Sequence, residues 1–296
     1  MKTKCLKIRI DNNIGKSEFI EILLKNKIIF GNVTYPCKNL LFRFSDYNFY
    51  PSDKLQFANT FVFKNNRIFS TNTDGDGFFA SLYFNHKSIY QRLLKEKIIL
   101  IAGTGATASS IALSSRLRGI YPLLISRNAN IFNNNIEGLK NHLNINKISY
   151  NHHNYISYKE AQIVIDKEKP IIVSTLPFSV LSILSNFLKD FSENSFSIYY
   201  NKNNKKLNKI ELEDEIQGFF HKAFKLNLFI FDSNYKDYID YYKNNEFKYI
   251  KKFYLKNIIC GLDQFIGQGI YSIYFFSKIN LLDKQNFNKL KNILIS

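Results

Sequence analysis

The chain has 296 residues and a formal net charge of +17, from 41 Lys and Arg against 24 Asp and Glu. Its length predicts two domains, and a hydrophobic content of 45% predicts packed cores rather than disorder. No apolar run approaches the roughly 18 to 20 residues that span a bilayer. The basic N-terminus lacks a continuous apolar segment followed by a small-residue cleavage site. We therefore predict neither a membrane partner nor a signal peptide.

Cysteine content and charge narrow the class of protein further. The three cysteines, Cys5, Cys37 and Cys260, lie far apart in the sequence, which predicts a reducing, cytoplasmic location and no metal site. The positive charge raises the alternative of a nucleic-acid-binding protein. However, the lysines are spread along the whole chain together with many Asn, Ile, Phe and Tyr residues, as in proteins from AT-rich genomes. Because no nucleic-acid-binding motif accompanies them, we expect no specific nucleic-acid partner.

The first 40 residues predict a short strand, a helix and a stiffened turn. Lys7–Ile10 has the composition of a strand, and Lys16–Lys25 has apolar residues at helical spacing with Ser17 as its cap. Residues 31–38, reading GNVTYPCK, then predict a strand that runs into a proline-stiffened turn.

A hairpin and a polar corner follow. Phe61–Phe63 and Arg67–Ser70 predict two strands joined by Asn65 and Asn66, a turn signal. The second strand leads to residues 72–78, reading NTDGDGF, a polar and glycine-rich corner that opens a helix.

The stretch from Lys97 to Arg127 predicts the first half of a dinucleotide-binding unit. Ile98–Ala102 is an apolar strand, and residues 103–108, reading GTGATA, form a turn of small residues. A helical segment closed by Gly119 and a second strand, Pro122–Ile125, come next. Strand, glycine turn, helix and strand in this order favour a Rossmann-like parallel sheet.

The glycine turn itself predicts contact with a pyrophosphate. Gly103 permits a sharp turn, Gly105 lets a phosphate approach the backbone, and the following helix N-terminus offers N–H groups and partial positive charge. Ala106 or Ala108 takes the place of the usual third glycine. We assign the whole turn to the cofactor: Gly103, Thr104, Gly105, Ala106, Thr107 and Ala108. Such turns also occur without a ligand, and that alternative stays open.

The end of the second strand indicates which nucleotide is bound. An acidic residue there would bind a ribose 2′-hydroxyl, whereas an arginine accommodates a 2′-phosphate. This chain has Arg127, and no Asp or Glu lies between Thr104 and Arg127. A guanidinium binds phosphate with two hydrogen bonds and stacks on adenine. We predict NADP as the cofactor, with a solvated arginine as the alternative.

Six segments together resemble the shikimate dehydrogenase family, in order and over about residues 28 to 280. The family has N-V-T-x-P-x-K, A-x-N-T-like and N-T-D-x-x-G-F segments before the glycine turn, and N-A-T-P, D-x-x-Y and G-x-x-x-L-x-x-Q-A segments after it. The corresponding residues here are 32–38, 57–60, 72–78, 174–177, 232–235 and 261–269.

The resemblance implies that Lys38 and Asp74 are the catalytic pair. The implied reaction is reversible hydride transfer between NADPH and the C3 carbonyl of 3-dehydroshikimate, which gives shikimate. The chemistry of the residues agrees, because reducing a ketone builds negative charge on its oxygen and requires a cation and a proton donor beside it. An ammonium oriented by a carboxylate supplies both. Without the surrounding motif, Lys38 would be interpreted as an ordinary surface lysine.

The resemblance also implies binding residues for both ligands. Thr34, Asn59 and Gln268 match positions that hydrogen-bond the ring hydroxyls of the substrate, and Tyr235 is a further substrate-binding candidate. The alternative for Gln268 is an amide on a helix surface. Three more residues match cofactor-binding segments: Thr175, Leu176 and Gly261.

Two features depart from the family pattern. The family's serine-rich S-x-S turn, which holds the substrate carboxylate, has no counterpart before Lys38. About residues 195–226 also read as an insertion, with a charged low-complexity tract at 201–209 and an amphipathic helix at Glu211–Phe224. The missing turn motivates the alternative of a degenerate or repurposed nucleotide-binding homologue.

The expected fold class is α/β, with a small N-terminal α/β substrate domain, a Rossmann-like doubly wound parallel sheet, and a cleft between them. The expected bounds are 1–84 for the substrate domain and 85–256 for the NADP-binding domain. C-terminal helices at 257–296 return to the first domain. The expected partner is a small-molecule substrate, and the expected assembly is a monomer or a homodimer.

Overall fold

The computed structural model describes residues 6–11, 13–126, 155–177, 180, 210–234 and 257–295. None of the helices in these ranges has the length and apolar character that a membrane span requires. By its contacts the chain divides into a first unit, residues 1–73 and 272–280, and a second unit, residues 74–271 and 281–296. The domain bounds expected from the sequence stay a prediction.

The first unit contains one mixed four-stranded sheet. Its strands are β1 (Phe30–Asn32), β2 (Tyr47–Asn48), β3 (Thr60–Lys64) and β4 (Arg67–Thr71). Its helices are α1 (Lys16–Lys25), α2 (Lys38–Phe44) and α3 (Ser52–Leu55). The strand order is β1-β3-β4-β2, with the first two pairs antiparallel and the last parallel.

The predicted hairpin is confirmed as strands β3 and β4. Asn65 and Asn66 join them with φ values of 51° and 57°, which is the left-handed pair that a two-residue hairpin turn requires. The turn sets the register, with Phe61 opposite Ser70 and Phe63 opposite Ile68.

Helices α1 and α2 contribute to a compact apolar core in the first unit. The ring of Phe19 from α1 lies 5.8 Å from the rings of both Phe44 and Phe61. Leu23 and Leu41, both almost fully buried, belong to the same cluster. The apolar face of α2 packs in this core. The packing fixes the position of the helix, and Lys38 is its first residue.

Two details predicted for the N-terminal segment are wrong. The described residues 7–10 form no strand, and Leu6 and Ile8 are 46% and 36% exposed, so their side chains do not supply the burial that favours a strand. Helix α1 is preceded by Gly15 as its N-cap. Ser17 lies one position inside the helix and therefore does not cap it.

The second unit is built on a six-stranded sheet. Its strands are β5 (Ile98–Ala102), β6 (Tyr121–Ile125), β7 (Tyr155–Ile156), β8 (Ile171–Ser174), β9 (Ile230–Asp232) and β10 (Ile258–Cys260). Its helices are α4 (Asp74–Asn85), α5 (Lys87–Glu96), α6 (Ala106–Arg116), α7 (Tyr158–Glu168), α8 (Ile210–Lys225), α9 (Leu262–Ser277, whose last residues belong to the first unit) and α10 (Lys284–Ile295).

The order of this sheet confirms the predicted Rossmann-like class. Every pair is parallel, and the order is β10-β9-β8-β5-β6-β7. Counted from β5 as strand one, this is 3-2-1-4-5-6 read from the β7 edge, the order of a dinucleotide-binding sheet. The order reverses between β5 and β8, and ligands of such sheets bind at the carboxyl ends of the strands at that point.

Buried strands and covering helices account for the parallel sheet. Leu100 and Ala102 of β5 belong to one apolar cluster, while Ile99 and Ile101 belong to a second. A strand buried on both faces reads as a continuous apolar run, and this is why β5 is recognisable from sequence. The amphipathic helix predicted at Glu211–Phe224 is confirmed as α8, whereas residues 195–209 of the predicted insertion lie outside the described residues.

A buried carboxylate links three helical segments of the second unit. Asp263, near the start of α9, lies 2.9 Å from His86 Nε2 and 2.9 Å from Lys291 Nζ of α10. Burial opposes ionisation of this carboxyl, but the hydrogen bond from His86 and the charge of Lys291 outweigh it. The pKa of Asp263 is therefore lowered.

Candidate functional site

The glycine turn after β5 is constrained at Gly103. This residue has a φ of +117°, and its N–H donates to the carbonyl oxygen of Ile125 at 3.1 Å. A Cβ atom at position 103 would lie 2.3 Å from Thr175 Oγ1. Both the backbone conformation and the close neighbour require glycine here, so the folded chain alone explains Gly103.

Gly105 is different, because the described part of the chain gives no reason for glycine there. It is the N-cap of α6, with an ordinary φ of −77° and ψ of −174°. A Cβ atom at this position would meet no described atom within 4 Å. Because the N-cap is a glycine, it has no side chain that could cap the helix. The first N–H groups of a helix have no intrahelical partners, so an open, exposed N-terminus here is suited to a phosphate.

Residues after β8 stand beside the glycine turn at the reversal of strand order. The N–H and the hydroxyl of Thr175 donate to the carbonyl oxygen of Ala102 at 2.9 and 3.0 Å. Leu176 is buried, and its carbonyl oxygen accepts from Asn234 Nδ2 at 2.9 Å. The structure thus brings two predicted cofactor-binding residues, Thr175 and Leu176, to the same sheet edge as the turn.

Gly261 is explained by packing. A Cβ atom there would lie 2.4 Å from the carbonyl oxygen of Ser233 and 2.7 Å from that of Asp232. The start of α9 therefore runs against the segment after β9, and glycine is required by that close approach. Its predicted role in cofactor binding stays a prediction.

Asp74 lies beside the first turn of α6. Its side chain, 1% exposed, begins α4, and its Oδ2 accepts a hydrogen bond from Thr107 Oγ1 at 3.1 Å. Its backbone carbonyl accepts from Gln264 Nε2 at 3.3 Å, and the next N–H, of Gly75, donates to Ser110 Oγ at 2.9 Å. Thr107, predicted to bind cofactor, therefore also contacts the predicted catalytic carboxylate.

Glycines at two helix crossings hold α4 in place. A Cβ atom at Gly75 would lie 2.3 Å from the carbonyl oxygen of Ser110 on α6, and one at Gly77 would lie 2.5 Å from the backbone nitrogen of Gln268 on α9. A Cβ atom at Gly267 would lie 2.5 Å from the carbonyl oxygen of Gly77. The backbones touch, which fixes Asp74 and Gln268 on one packed set of helices. The repeated glycines of both segments were the available sequence signal for this packing.

The first unit brings three other predicted residues together. The N–H of Ala58 donates to the carbonyl oxygen of Lys38 at 3.0 Å, and the N–H of Val33 donates to that of Asn59 at 2.8 Å. The segment that carries Thr34 and Lys38 is therefore hydrogen-bonded to the segment that carries Asn59. Thr34 is exposed, Lys38 is half-buried at the start of α2, and the Asn59 side chain is buried.

The binding and catalytic roles of all these residues stay predictions. Arg127 and Tyr235 lie outside the described residues. Lys38 belongs to the first unit and Asp74 to the second, so the catalytic pair stays a prediction. Gln268 is half-buried in the middle of α9.

Comparisons with known proteins give a partial match in sequence. No family model matches the chain. The curated shikimate dehydrogenase (NADP(+)) of Clostridium botulinum, strain Loch Maree / Type A3, is 36% identical over 93 residues. The match covers 31% of this chain and 34% of the relative, so it spans about a third of that protein's length.

Solved structures match nearly the whole chain in fold. Shikimate dehydrogenase from Aquifex aeolicus is 21% identical with a TM-score of 0.58, over 95% of this chain and 83% of that one. Shikimate 5-dehydrogenase from Listeria monocytogenes, in complex with shikimate and NAD, is 14% identical with a TM-score of 0.58, over 95% of this chain and 83% of that one. At these identities the likeness shows the fold alone. This chain is thus similar to shikimate dehydrogenases in sequence over about a third of its length and in fold over nearly all of it.

Proposed function

We propose that this chain is an NADP-dependent shikimate dehydrogenase that reversibly reduces 3-dehydroshikimate to shikimate, a step of chorismate and aromatic amino-acid biosynthesis. The observation that carries the proposal is the hydrogen bond from Thr107 to Asp74. It puts the candidate catalytic carboxylate against the first turn of the helix that would bind the nucleotide. Hydride transfer requires this proximity, because the catalytic groups must act where the nicotinamide meets the ketone.

The nucleotide fits the open N-terminus of α6. Because Gly105 has no side chain, the pyrophosphate can approach the backbone, where the N–H groups of the first turn favour it. Thr175 and Leu176 lie at the end of the adjacent strand, where the nicotinamide half would lie. When bound, NADPH supplies the hydride. The chain supplies binding, orientation and charge stabilisation.

Lys38 and Asp74 would assist the transfer at the ketone oxygen. As hydride reaches C3, negative charge develops on that oxygen, and the Lys38 ammonium stabilises it and donates the proton. Asp74 orients the ammonium. Thr34, Asn59 and Gln268 bind the ring hydroxyls, a task that suits neutral amides and hydroxyls because these donate and accept at once, and Tyr235 is a further candidate for substrate binding.

NADP rather than NAD is proposed on the basis of Arg127. The name of the Clostridium botulinum relative specifies NADP(+), whereas the Listeria monocytogenes structure holds NAD. The preference is tested by kcat/KM for each nucleotide in the wild type and in Arg127→Ala. We expect the wild type to prefer NADP and the variant to lose about tenfold or more of that preference, since guanidinium–phosphate pairs are strong. An equal preference in both proteins would rule out the role of Arg127.

Turnover tests the proposed reaction. Purified protein with shikimate and NADP should form NADPH, and both Lys38→Ala and Asp74→Ala should abolish it. The absence of turnover with shikimate and with quinate would refute the proposal. It would leave the alternative of a nucleotide-binding homologue without this activity, motivated by the missing S-x-S turn. A cytoplasmic location and a monomeric or homodimeric state remain predictions.

A further inference from the structure

Four aromatic rings form a continuous strip on one face of the sheet in the first unit. Tyr47 of β2 lies opposite Phe69 of β4, and their rings stack with centroids 5.1 Å apart at an angle of 8°. The ring of Phe49 lies 6.4 Å from that of Phe69, and the ring of Phe275, at the end of α9, lies 5.8 Å from that of Phe49. Each ring contacts the next, and these four residues are the aromatic strip.

The aromatic strip lies on the face of the sheet that points away from the apolar core. Side chains alternate between the two faces along a strand. Ile68 is fully buried in the core of the first unit, so Phe69, the next residue of β4, points to the other face. Tyr47 and Phe49 remain 47% and 49% exposed. Neighbouring exposed rings, unlike single ones, indicate an interaction surface.

A cation lies at each end of the aromatic strip. The Arg67 guanidinium is 5.9 Å from the centroid of the Tyr47 ring, and its Nη1 donates to the Tyr47 hydroxyl oxygen at 3.1 Å. At the other end, Lys278 Nζ is 5.6 Å from the centroid of the Phe275 ring. Neither cation forms an ion pair with a carboxylate in the described part of the chain. Their charge is therefore available to an anionic ligand.

An open cavity adjoins the aromatic strip at Arg67. It has a volume of about 460 Å³ and is lined by Lys64, Asn65, Arg67 and Phe69. Lys64 and Arg67 are register partners at the end of the β3–β4 hairpin, so each strand contributes a cation. The ammonium, the guanidinium and the amide all donate hydrogen bonds, and the ring adds a flat apolar wall. This combination suits a phosphate that is joined to a planar ring.

The acidic residue beside the aromatic strip is already paired. Asp46 precedes Tyr47, and its carboxylate lies 2.6 Å from Lys16 Nζ and accepts from the N–H of Ile68 at 2.8 Å. These two hydrogen bonds lower the pKa of Asp46 and compensate much of its charge. The surface is thus positive, as is the whole chain at +17. A second copy of this chain would bring like charges together, so an anionic partner is favoured.

We propose that the aromatic strip and the adjoining cavity bind single-stranded nucleic acid. Bases stack on the exposed rings of Tyr47 and Phe49. Phosphates bind Lys64, Arg67 and Lys278. Every base has a flat face and every nucleotide has a phosphate, so this surface does not distinguish sequences. The binding does not depend on the proposed dehydrogenase reaction.

A tryptophan reporter tests the stacking directly. The chain contains no tryptophan, so Tyr47→Trp introduces a single one into the aromatic strip. Single-stranded oligothymidylate of about 20 nucleotides should quench its fluorescence, because a base stacks on the indole ring. Tyr83→Trp is the matched control, since Tyr83 is 54% exposed on α4 and lies outside the strip. Equal quenching in both variants, or none in either, would refute the site.

Binding affinity separates stacking from simple charge attraction. Anisotropy titrations at about 0.15 M salt compare labelled oligothymidylate with an abasic strand of the same length, which has the phosphates without the bases. Tyr47→Leu and Phe49→Leu keep an apolar side chain against Phe69 but remove the flat ring. We expect each to raise Kd for oligothymidylate about five- to hundredfold and to leave Kd for the abasic strand within about twofold. A wild type that binds both strands equally tightly would overturn the proposal.

Salt dependence tests the cations. For single strands, each phosphate contact contributes about 0.7 to the slope of log K against log salt concentration. The double variant Lys64→Gln and Arg67→Gln should therefore reduce that slope by about 1.4. The double variant Lys87→Gln and Lys95→Gln removes two exposed cations of α5 and should leave the slope unchanged. Equal slopes in the two double variants would refute the assignment of the cavity to phosphates.

Vesicles distinguish nucleic acid from a lipid surface. Basic and aromatic residues also bind anionic membranes, so the protein is sedimented with vesicles of phosphatidylserine and phosphatidylcholine. We expect most of the protein to stay in solution. Retention on the vesicles that Tyr47→Leu abolishes, together with no binding of oligothymidylate by the wild type, would overturn the proposal.

Discussion

Replacing Gly105 by alanine tests whether the open N-terminus of α6 holds a phosphate. The φ of −77° and ψ of −174° are allowed for alanine, and the new Cβ would meet no described atom within 4 Å. Alanine is a poorer N-cap than glycine, but the loss is offset by about 0.4–1 kcal/mol from reduced freedom of the unfolded chain. The free energy of unfolding should therefore change by no more than about 1 kcal/mol.

The same methyl group should weaken nucleotide binding strongly. A phosphate that contacts the backbone at Gly105 would have to move away from the added carbon, and forcing one extra carbon into a packed contact costs about 1–3 kcal/mol. At about 1.4 kcal/mol for each factor of ten, Kd for NADP should rise about five- to hundredfold.

Gly15 provides a matched control for this variant. It is also an N-cap glycine with an ordinary φ, −84°, and a Cβ atom there would likewise meet no described atom within 4 Å. Calorimetric titration with NADP should give the wild-type Kd for Gly15→Ala and a weakened Kd for Gly105→Ala, with similar melting temperatures for both. Equal Kd values for the two variants would refute the assignment of Gly105 to the cofactor.

Three further substitutions test the surroundings of the site. Gly77→Ala would put a Cβ atom 2.5 Å from the backbone nitrogen of Gln268, and we expect it to lower the free energy of unfolding by about 1–3 kcal/mol in urea titrations; an unchanged midpoint would contradict the packing. Thr107→Val removes the hydroxyl that donates to Asp74 at 3.1 Å, and steady-state kinetics should show kcat/KM about fivefold lower, with Thr107→Ser near the wild type; full activity in Thr107→Val would refute the contact's importance. Because the pKa of Asp263 is lowered from 3.8, its ionised form contributes stability that is present above that value and is lost as pH falls through the folded pKa. Unfolding midpoints measured across the acid range should fall less steeply in Asp263→Asn than in the wild type, and parallel curves would contradict this.

Local patterns were enough to predict the elements that flank the glycine turn. Ile98–Ala102 is a continuous apolar run because β5 is buried on both faces, and the small residues after it permit only a tight turn. The hairpin was predictable because Asn65 and Asn66 tolerate the left-handed conformation that its turn demands.

Features that depend on distant contacts could not be predicted from these patterns. Lys7–Ile10 has the composition of a strand, but strand formation needs a partner edge, which no local pattern specifies. The need for glycine at Gly77 arises from the backbone of α9, far away in the sequence. The contact between the hydroxyls of Thr60 and Ser272 likewise spans 212 positions of the sequence. Single polar residues such as Ser272 carry no periodic signal, so only the folded chain reveals them.

Isotope transfer tests the central claim most directly. The wild-type protein is incubated with NADP and with shikimate that carries deuterium at the carbon to be oxidised. The mass of the nucleotide product is then measured by mass spectrometry. The proposed mechanism predicts NADPH that carries one deuterium, and no labelled product with Lys38→Ala. Wild-type protein that yields no deuterated NADPH would contradict the assignment of this chain as a shikimate dehydrogenase.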